Sequence, residues 1–371
     1  MIHSVMKSTF HLSVLLSYQV LLVHNAKSLE STTSITCRDE SGDPVDWFVV
    51  IRFPDGPEYA YTDSARRSNL QKSPFTLNST DEGAVAATLS SIYNDSSNNI
   101  GYALYNDEWP NNRRYGTGGH TKGVFGFDDD SKGGFWFVHS VPRFPEFPSK
   151  GAYPALPEDE YRYGQSMLCI SMDLDELDSA ASQLLIAYPW TYDAKIPSHL
   201  NLTNMLRLAK PNHRDHYADV GVKTLFSKDD VLFTSFYKSP HWGTNYYLYE
   251  DMVEPYYDVG MIWETWMNGV NPDPTFCRPD YQYDSMNIRY IQVTDEVAWK
   301  ETKDHSKWGL SVFDTDSNKK IVCIGDINRQ QSQNKRGGGT NCLEDDHLWS
   351  AFSQIVVKSD DCHSNVGVEA E

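Results

Sequence analysis

Two stretches of this chain, beginning 185 residues apart, repeat one pattern. From His120 the sequence runs HTKGVFGFDDDSKGGFWFVHS, and from His305 it runs HSKWGLSVFDTDSNKKIVCIGD. Each opens with His-x-Lys and continues into an alternating apolar segment, Val124, Phe125 and Phe127 in one and Trp308, Leu310 and Val312 in the other. Each then passes through an acidic turn (residues 128–134 and 314–320) into a second apolar strand. Turns rich in Asp, Ser, Asn and Gly between alternating strands are hairpin signals. Two copies of one supersecondary unit predict a pseudo-symmetric pair of lobes.

Other elements are coarser. Residues 45–53 and 166–171 read as strands. Residues 173–186 carry helical spacing in Leu174, Leu177, Ala181 and Leu184. A second helix is expected over 343–357, with Glu344, Asp345 and Asp346 in the first turn, where negative charge suits the helix dipole. The fold class is therefore mixed α/β (α+β) with strand-rich lobes. No linker divides the chain, so a boundary near 185, separating 29–185 from 186–371, is a rough cut.

Residues 1–28 read as a secretory signal peptide, with Lys7 ahead of an apolar run from Phe10 to Val23 and small residues Ala26 and Ser28 following. Export makes the sequons at Asn78, Asn94 and Asn201 usable for glycosylation. It also makes three disulfides the natural state of the six cysteines, all of which follow the signal. Fifteen connectivities remain open, and proximity favours only Cys323 with Cys342. The cysteines lack C-x-x-C spacing, so a cysteine-based metal site is not expected.

The formal charge is −19, and loss of Lys7 and Lys27 with the signal leaves about −21. Protonating the nine remaining histidines would bring it to about −12, so an acidic working pH eases the approach of a polyanion. A generic acidic secreted protein would show the same charge.

His-x-Lys spacing by itself is weak evidence, and most lone histidines are structural; the matching hairpins raise its weight. Hydrolysing a phosphodiester without metal requires a nucleophile, a proton donor for the leaving oxygen, and cations for the non-bridging oxygens. His120 and His305 can supply the first two, Lys122 and Lys307 the third. On a strand, residues i and i+2 share a face, so each pair would point one way. His139, after the first apolar strand, and Asn328, after the second, are secondary candidates that read equally well as structural residues. Arg113, Arg114, Arg329, Lys335 and Arg336 are the densest basic segments, readable as contacts to a phosphate backbone or as solvated loops. The triplet Gly337, Gly338 and Gly339 can admit phosphate to backbone amides or simply form a turn.

Four segments carry a resemblance to a known family: CRDESGDPVDWFVVIRFP, GGHTKGVFGFD with GGFWFVHSVPRFP, YGQSMLCIS, and DHSKW with CIGDINRQQSQNKRGGGTNC. Together they resemble deoxyribonuclease II, a family related to phospholipase D enzymes, in which two H-x-K motifs meet between two like lobes. The resemblance implies His120 and His305 as catalytic pair, with His120 as nucleophile by analogy and the reverse assignment open, and Lys122 and Lys307 as phosphate ligands. It implies a metal-independent acid endodeoxyribonuclease leaving 3′-phosphate and 5′-hydroxyl ends, with no cofactor, in a lysosomal or secreted protein that degrades DNA from dying or ingested cells. Its partner would be DNA without sequence preference, with no stable membrane insertion; monomer and homodimer both stay open. It also implies the pairing Cys37–Cys169, Cys277–Cys362 and Cys323–Cys342. The fuller phospholipase D motif has Asp five residues after the Lys, where this chain has Phe127 and Val312; Asp128 and Asp314 lie next to or near those positions.

Three other readings compete. One keeps the fold and makes the substrate a lipid phosphodiester. Another is a catalytically inactive secreted relative that binds DNA. The third is a metal hydrolase built on His213, Asp215 and His216, disfavoured because no third ligand follows at a usual spacing.

Overall fold

The computed structural model describes residues 34–67, 69–93, 99–210, 217–312 and 318–362. The signal segment, the Asn94 sequon, His213 to His216 and Asp314 fall outside them. Ile35–Glu371 form one unit by their contacts.

Two large sheets organise it. The first contains β1 (Trp47–Arg52), β2 (Glu58–Asp63), β3 (Gln71–Thr76), β4 (Ile100–Asn106), β5 (Lys122–Asp128), β6 (Gly133–His139), β7 (Gln165–Asp173) and β8 (Thr191–Lys195), in the order β3-β2-β1-β7-β6-β5-β4-β8. The second contains β9 (Val220–Phe226), β10 (Leu232–Lys238), β11 (Met261–Glu264), β12 (Ser285–Thr294), β13 (Val297–Lys300), β14 (Trp308–Ser311), β15 (Ile321–Gly325) and β16 (Gly338–Glu344). Its order is β13-β12-β11-β14-β15-β16-β10-β9, with β17 (Val356–Ser359) also paired to β12. The run β4-β5-β6-β7 in the first sheet has the same antiparallel neighbours as β11-β14-β15-β16 in the second.

Both echoing segments are hairpins, but their strands are buried on both faces rather than one. One face of β5 and β6, carrying Phe125, Phe127, Trp136 and Val138, joins a core that also holds Tyr237, Trp308, Leu310 and Ile324 of the second sheet. The other face, with Val124, Phe135 and Phe137, packs with the helix α1 (Ala84–Tyr93). A strand covered on two sides reads as a nearly continuous apolar run, which is what GGFWFVH is.

The helix expected over 173–186 is α2 (Leu174–Ile186), and its buried Leu177, Ala181 and Leu184 enter the shared core. The helix expected over 343–357 is shorter, α3 counting only the longer helices, Asp346–Ile355. Leu343 and Glu344 belong instead to β16, and Val356 and Val357 to β17. Asp345 ends the strand and begins the helix, its carboxylate accepting from the backbone N–H groups of His347 and Leu348. Paired strands claimed the flanking residues over helical periodicity.

Cys37–Cys169, Cys277–Cys362 and Cys323–Cys342 are disulfide-bonded. The last joins directly opposed residues of β15 and β16. The sequon residues Asn78 and Asn201 are exposed. No helix among the described residues is long and apolar enough to cross a membrane.

Candidate active site

Neither His-x-Lys lies wholly within a strand. Lys122 is the first residue of β5, whereas both His305 and Lys307 precede β14. The histidines sit on extended segments, each held by the opposite sheet. Gly119 bridges Gly337, just before β16, and the His120 N–H donates to the Gly337 carbonyl at 2.8 Å. Gly164, just before β7, bridges Asp304, and the His305 N–H donates to the Gly164 carbonyl at 2.8 Å.

The side chains cross over in the same way. Nδ1 of His120 lies 2.6 Å from the Asp326 carbonyl oxygen, just after β15. Nδ1 of His305 lies 3.2 Å from the Ser140 carbonyl oxygen, just after β6, and 3.3 Å from Gln165 Oε1. The register makes these carbonyls counterparts. Gly123, one residue past Lys122, pairs with Val138, and Trp308, one past Lys307, pairs with Ile324; Ser140 and Asp326 each follow two residues later. Gln165 Oε1 also accepts the Ser140 hydroxyl. With only acceptors at Nδ1, both rings carry the Nδ1 proton, and in the neutral form the lone pair resides on Nε2.

Both rings are held well below the usual imidazole range. For His120 the main cause is burial, followed by Lys122, Arg336 and Lys307; for His305 it is burial, then Lys307, Lys122 and His120. Lys307 is likewise pushed well down, by burial and then by Lys122. Its ammonium donates to the His305 carbonyl. Lys122 is fixed by Asp107, whose other carboxylate oxygen accepts from Arg336 at 2.9 Å. Burial opposes the Asp107 charge, but these two cations keep its pKa below the ordinary value. Four groups that read as separate in sequence are thus electrostatically joined: the first histidine senses the second lysine, and the second histidine senses the first.

His139 is fully buried, with Nδ1 accepting from the Val141 N–H at 3.2 Å and its rim against Phe137 and Phe144. Burial, then Lys122, pushes it down to about 3. By register His139 corresponds to Gly325, one residue past the paired Val138 and Ile324. Asn328 is buried three residues further on, and its Oδ1 has no partner among the described residues.

The basic candidates separate into two groups. Arg329 is fully buried, bonded to Glu250 at 2.7 Å and to Asn287, and Arg336 is spent on Asp107 and on the carbonyls of Tyr115, Gly118 and Gly119. Neither guanidinium is available to a DNA backbone, because each satisfies buried acceptors that would otherwise be orphaned. Arg113, Arg114 and Lys335 are exposed; Arg114 pairs with Glu108 at 2.9 Å. Gly337 serves packing: an added Cβ would collide with the Ala187 carbonyl. Asp128 closes the first hairpin at the far end of β5 from Lys122, accepting from Ser131 and Ile35.

The deoxyribonuclease II family profile matches residues 36–362. The chain belongs to the deoxyribonuclease II family. Among individual relatives of the family it is 33% identical to Plancitoxin-1 of Acanthaster planci over 365 residues, 94% of this chain and 98% of that protein. It is 33% identical to Deoxyribonuclease-2-alpha of Mus musculus, covering 87% and 92% of the two chains. To Deoxyribonuclease-2 of Caenorhabditis elegans it is 32% identical, covering 89% and 95%. The span matched to the deoxyribonuclease II family includes both His-x-Lys motifs and all six cysteines.

Three residues at the site escaped sequence reasoning: Asp107, Gln165 and Asp326. Asp107 follows β4, whose last residue, Asn106, pairs with Lys122. Asp326 lies inside the GDIN segment but carries no motif signal of its own. It is fully buried; Oδ1 accepts from the Gly339 N–H at 2.9 Å and Oδ2 has no partner among the described residues. Burial raises it to about 7, against the opposing pull of the Gly339 hydrogen bond and Lys122.

Proposed function

We propose that the chain is a metal-independent acid endodeoxyribonuclease that uses both histidines in one site between two pseudo-symmetric lobes. Family membership supports DNA hydrolysis in general. The observation that carries the finer reading is the reciprocal bonding of the two rings, each giving its Nδ1 proton to a carbonyl of the opposite sheet. Nδ1 is thereby occupied on both rings, so Nε2 is the reactive atom of each.

His120 Nε2 attacks phosphorus and forms a P–N bond as the P–O5′ bond breaks, while protonated His305 gives its Nε2 proton to O5′. His305 then takes a proton from water, whose oxygen attacks phosphorus; the P–N bond breaks and the 3′-phosphate leaves with His120 restored. Burial and the cationic neighbours Lys122, Arg336 and Lys307 favour a neutral nucleophile, while the Nδ1 bond to the Asp326 carbonyl orients the ring and opposes that trend. Lys122 and Lys307 stabilise the non-bridging oxygens. With His305 depressed by burial and cations, its acid form requires low pH, although an arriving phosphate opposes that depression. Acid compartments reached through secretion, lysosomal or extracellular, and DNA from dying or ingested cells fit this requirement.

The test is plasmid digestion in EDTA at about pH 5 and about pH 7.5, comparing the wild type with His120→Ala and His305→Ala. Cleavage at acid pH by the wild type alone, leaving 5′-hydroxyl ends that a polynucleotide kinase labels directly, is expected. Equal cleavage by all three proteins would sink the mechanism.

A further inference from the structure

A cavity of about 720 Å³ opens beside the first motif, with Gly118, two residues before His120, in its wall. It draws on both sheets: Thr191 starts β8, while Pro240 and His241 follow β10 and Lys335 precedes β16. Its aromatic wall is ordered. Tyr115 and Trp190 stack with centroids 3.8 Å apart and planes 13° from parallel, and Trp109 lies 5.1 Å from Tyr115 at 54°. The Trp190 indole N–H donates to the Thr117 carbonyl at 2.7 Å, and the Arg113 guanidinium lies 5.5 Å from the centre of the Trp109 ring. Tyr115, Trp190 and Trp109 are only part-buried, so ring surface faces the cavity.

The charge of the lining is as specific as its shape. Arg113, Lys210 and Lys335 line it, and none of its described lining residues is acidic. In a chain of formal charge −19 that is a local reversal of sign. Half-exposed π faces beside cations suit a ligand with a flat ring and an anionic group.

We infer that this cavity is a nucleotide subsite, which takes one unpaired base of the DNA strand against the Tyr115–Trp190 stack and its flanking phosphates against Lys335, Lys210 and Arg113. The ligand class rests on the nuclease reading above, whereas the cavity itself does not. Its place beside Gly118 sets the bound nucleotide next to the phosphate that reaches His120. A base can enter only when unpaired, so single strands, frayed ends and flipped nucleotides engage this wall and a continuous duplex does not. The recognition is sequence-tolerant, since every base has a π face.

The test measures equilibrium binding of two fluorescein-labelled 8-mers to the full chain carrying His120→Ala, so that the strand is not consumed. One is oligothymidylate; the other has the same phosphates with abasic residues throughout. Binding of the base-bearing strand about tenfold tighter is expected, as one base–aromatic stack supplies. Adding Trp190→Ala or Tyr115→Leu should reduce that ratio towards unity, whereas Tyr115→Phe, which keeps the ring, should retain it. Lys335→Ala should weaken both strands alike. Unfolding temperatures within a few degrees identify variants that keep the fold. Equal binding of the two strands, or a ratio unmoved by Trp190→Ala in folded protein, would overturn the subsite whatever the plasmid assay shows. A base-dependent ratio with no plasmid cleavage would support the subsite and reject only the hydrolytic mechanism.

Discussion

Replacing Asp326 by Asn should change the pH dependence of stability in a direction fixed by the site. The carboxyl group is fully buried and raised to about 7 in the fold. In the unfolded chain it titrates near the ordinary aspartate value of about 3.9. Between those limits the folded state binds one more proton than the unfolded state, so stability falls as pH rises, by about 1.4 kcal/mol per pH unit. The contribution is complete below about pH 4 and lost by the time pH passes about 7, a total on the order of 4 kcal/mol. Asn reproduces the protonated acid: its oxygen can accept the Gly339 N–H, and its NH2 takes the place of the unpartnered oxygen. The effects of the charged neighbours Lys122, Lys307 and Asp107 on the Asp326 carboxylate are already contained in its raised pKa.

Urea denaturation of wild type and Asp326→Asn should therefore be followed from pH 4 to pH 8. The two should be nearly equal at the acid end, and the variant should gain steadily to an advantage of up to about 4 kcal/mol, or about 6 °C in unfolding temperature for some 340 residues. Parallel pH curves for the two proteins would refute the reasoning, since they would mean that Asp326 does not retain its proton in the fold. The same ionisation would place a negative charge beside Lys122 and Lys307 at neutral pH, which is consistent with the acid activity proposed above.

Three further outcomes are expected. Asp107→Asn removes the shared partner of Lys122 and Arg336; leaving buried cations uncompensated should cost about 3–5 kcal/mol by urea denaturation and lower kcat, and unchanged values for both would contradict its role. Gly337→Ala places a Cβ against the Ala187 carbonyl and displaces the carbonyl that holds the His120 N–H; a stability loss of about 1–3 kcal/mol should accompany a fall in kcat, and wild-type kcat would count against backbone anchoring of His120. Replacing Cys323 and Cys342 together opens a loop with a separation of 19 residues; stability should drop by about 3 kcal/mol and the second motif should loosen, whereas full activity in the folded variant would contradict that coupling.

The two hairpins were legible because they are local: a strand, a turn and a strand declare themselves within twenty residues, and His120, Lys122, His305 and Lys307 stand at their entrances. The helix Leu174–Ile186 was legible for the same reason, its apolar spacing matching one buried face. The other helix is shorter at both ends than its acidic first turn suggests, because Leu343 and Val356 have strand partners far along the chain. Periodicity cannot register a partner that arrives only when the sheet assembles.

Charge misled for a related reason. Arg329 and Arg336 look like solvent-facing contacts in an acidic chain, yet Glu250, Asn287 and Asp107, distant in sequence, draw them inside. A residue's type states what it can bond to, and only the fold states what it meets. The His-x-Lys pairs themselves illustrate the division. Their identity and their repeated setting are properties of two short segments, while the carbonyl that orients each ring comes from the opposite sheet and each ring is shifted by the other motif's lysine as well as by its own. Hydrogen bonds fall off within a few ångströms, so the chemistry of each histidine is decided by folding that brings together groups 206 and 165 residues apart.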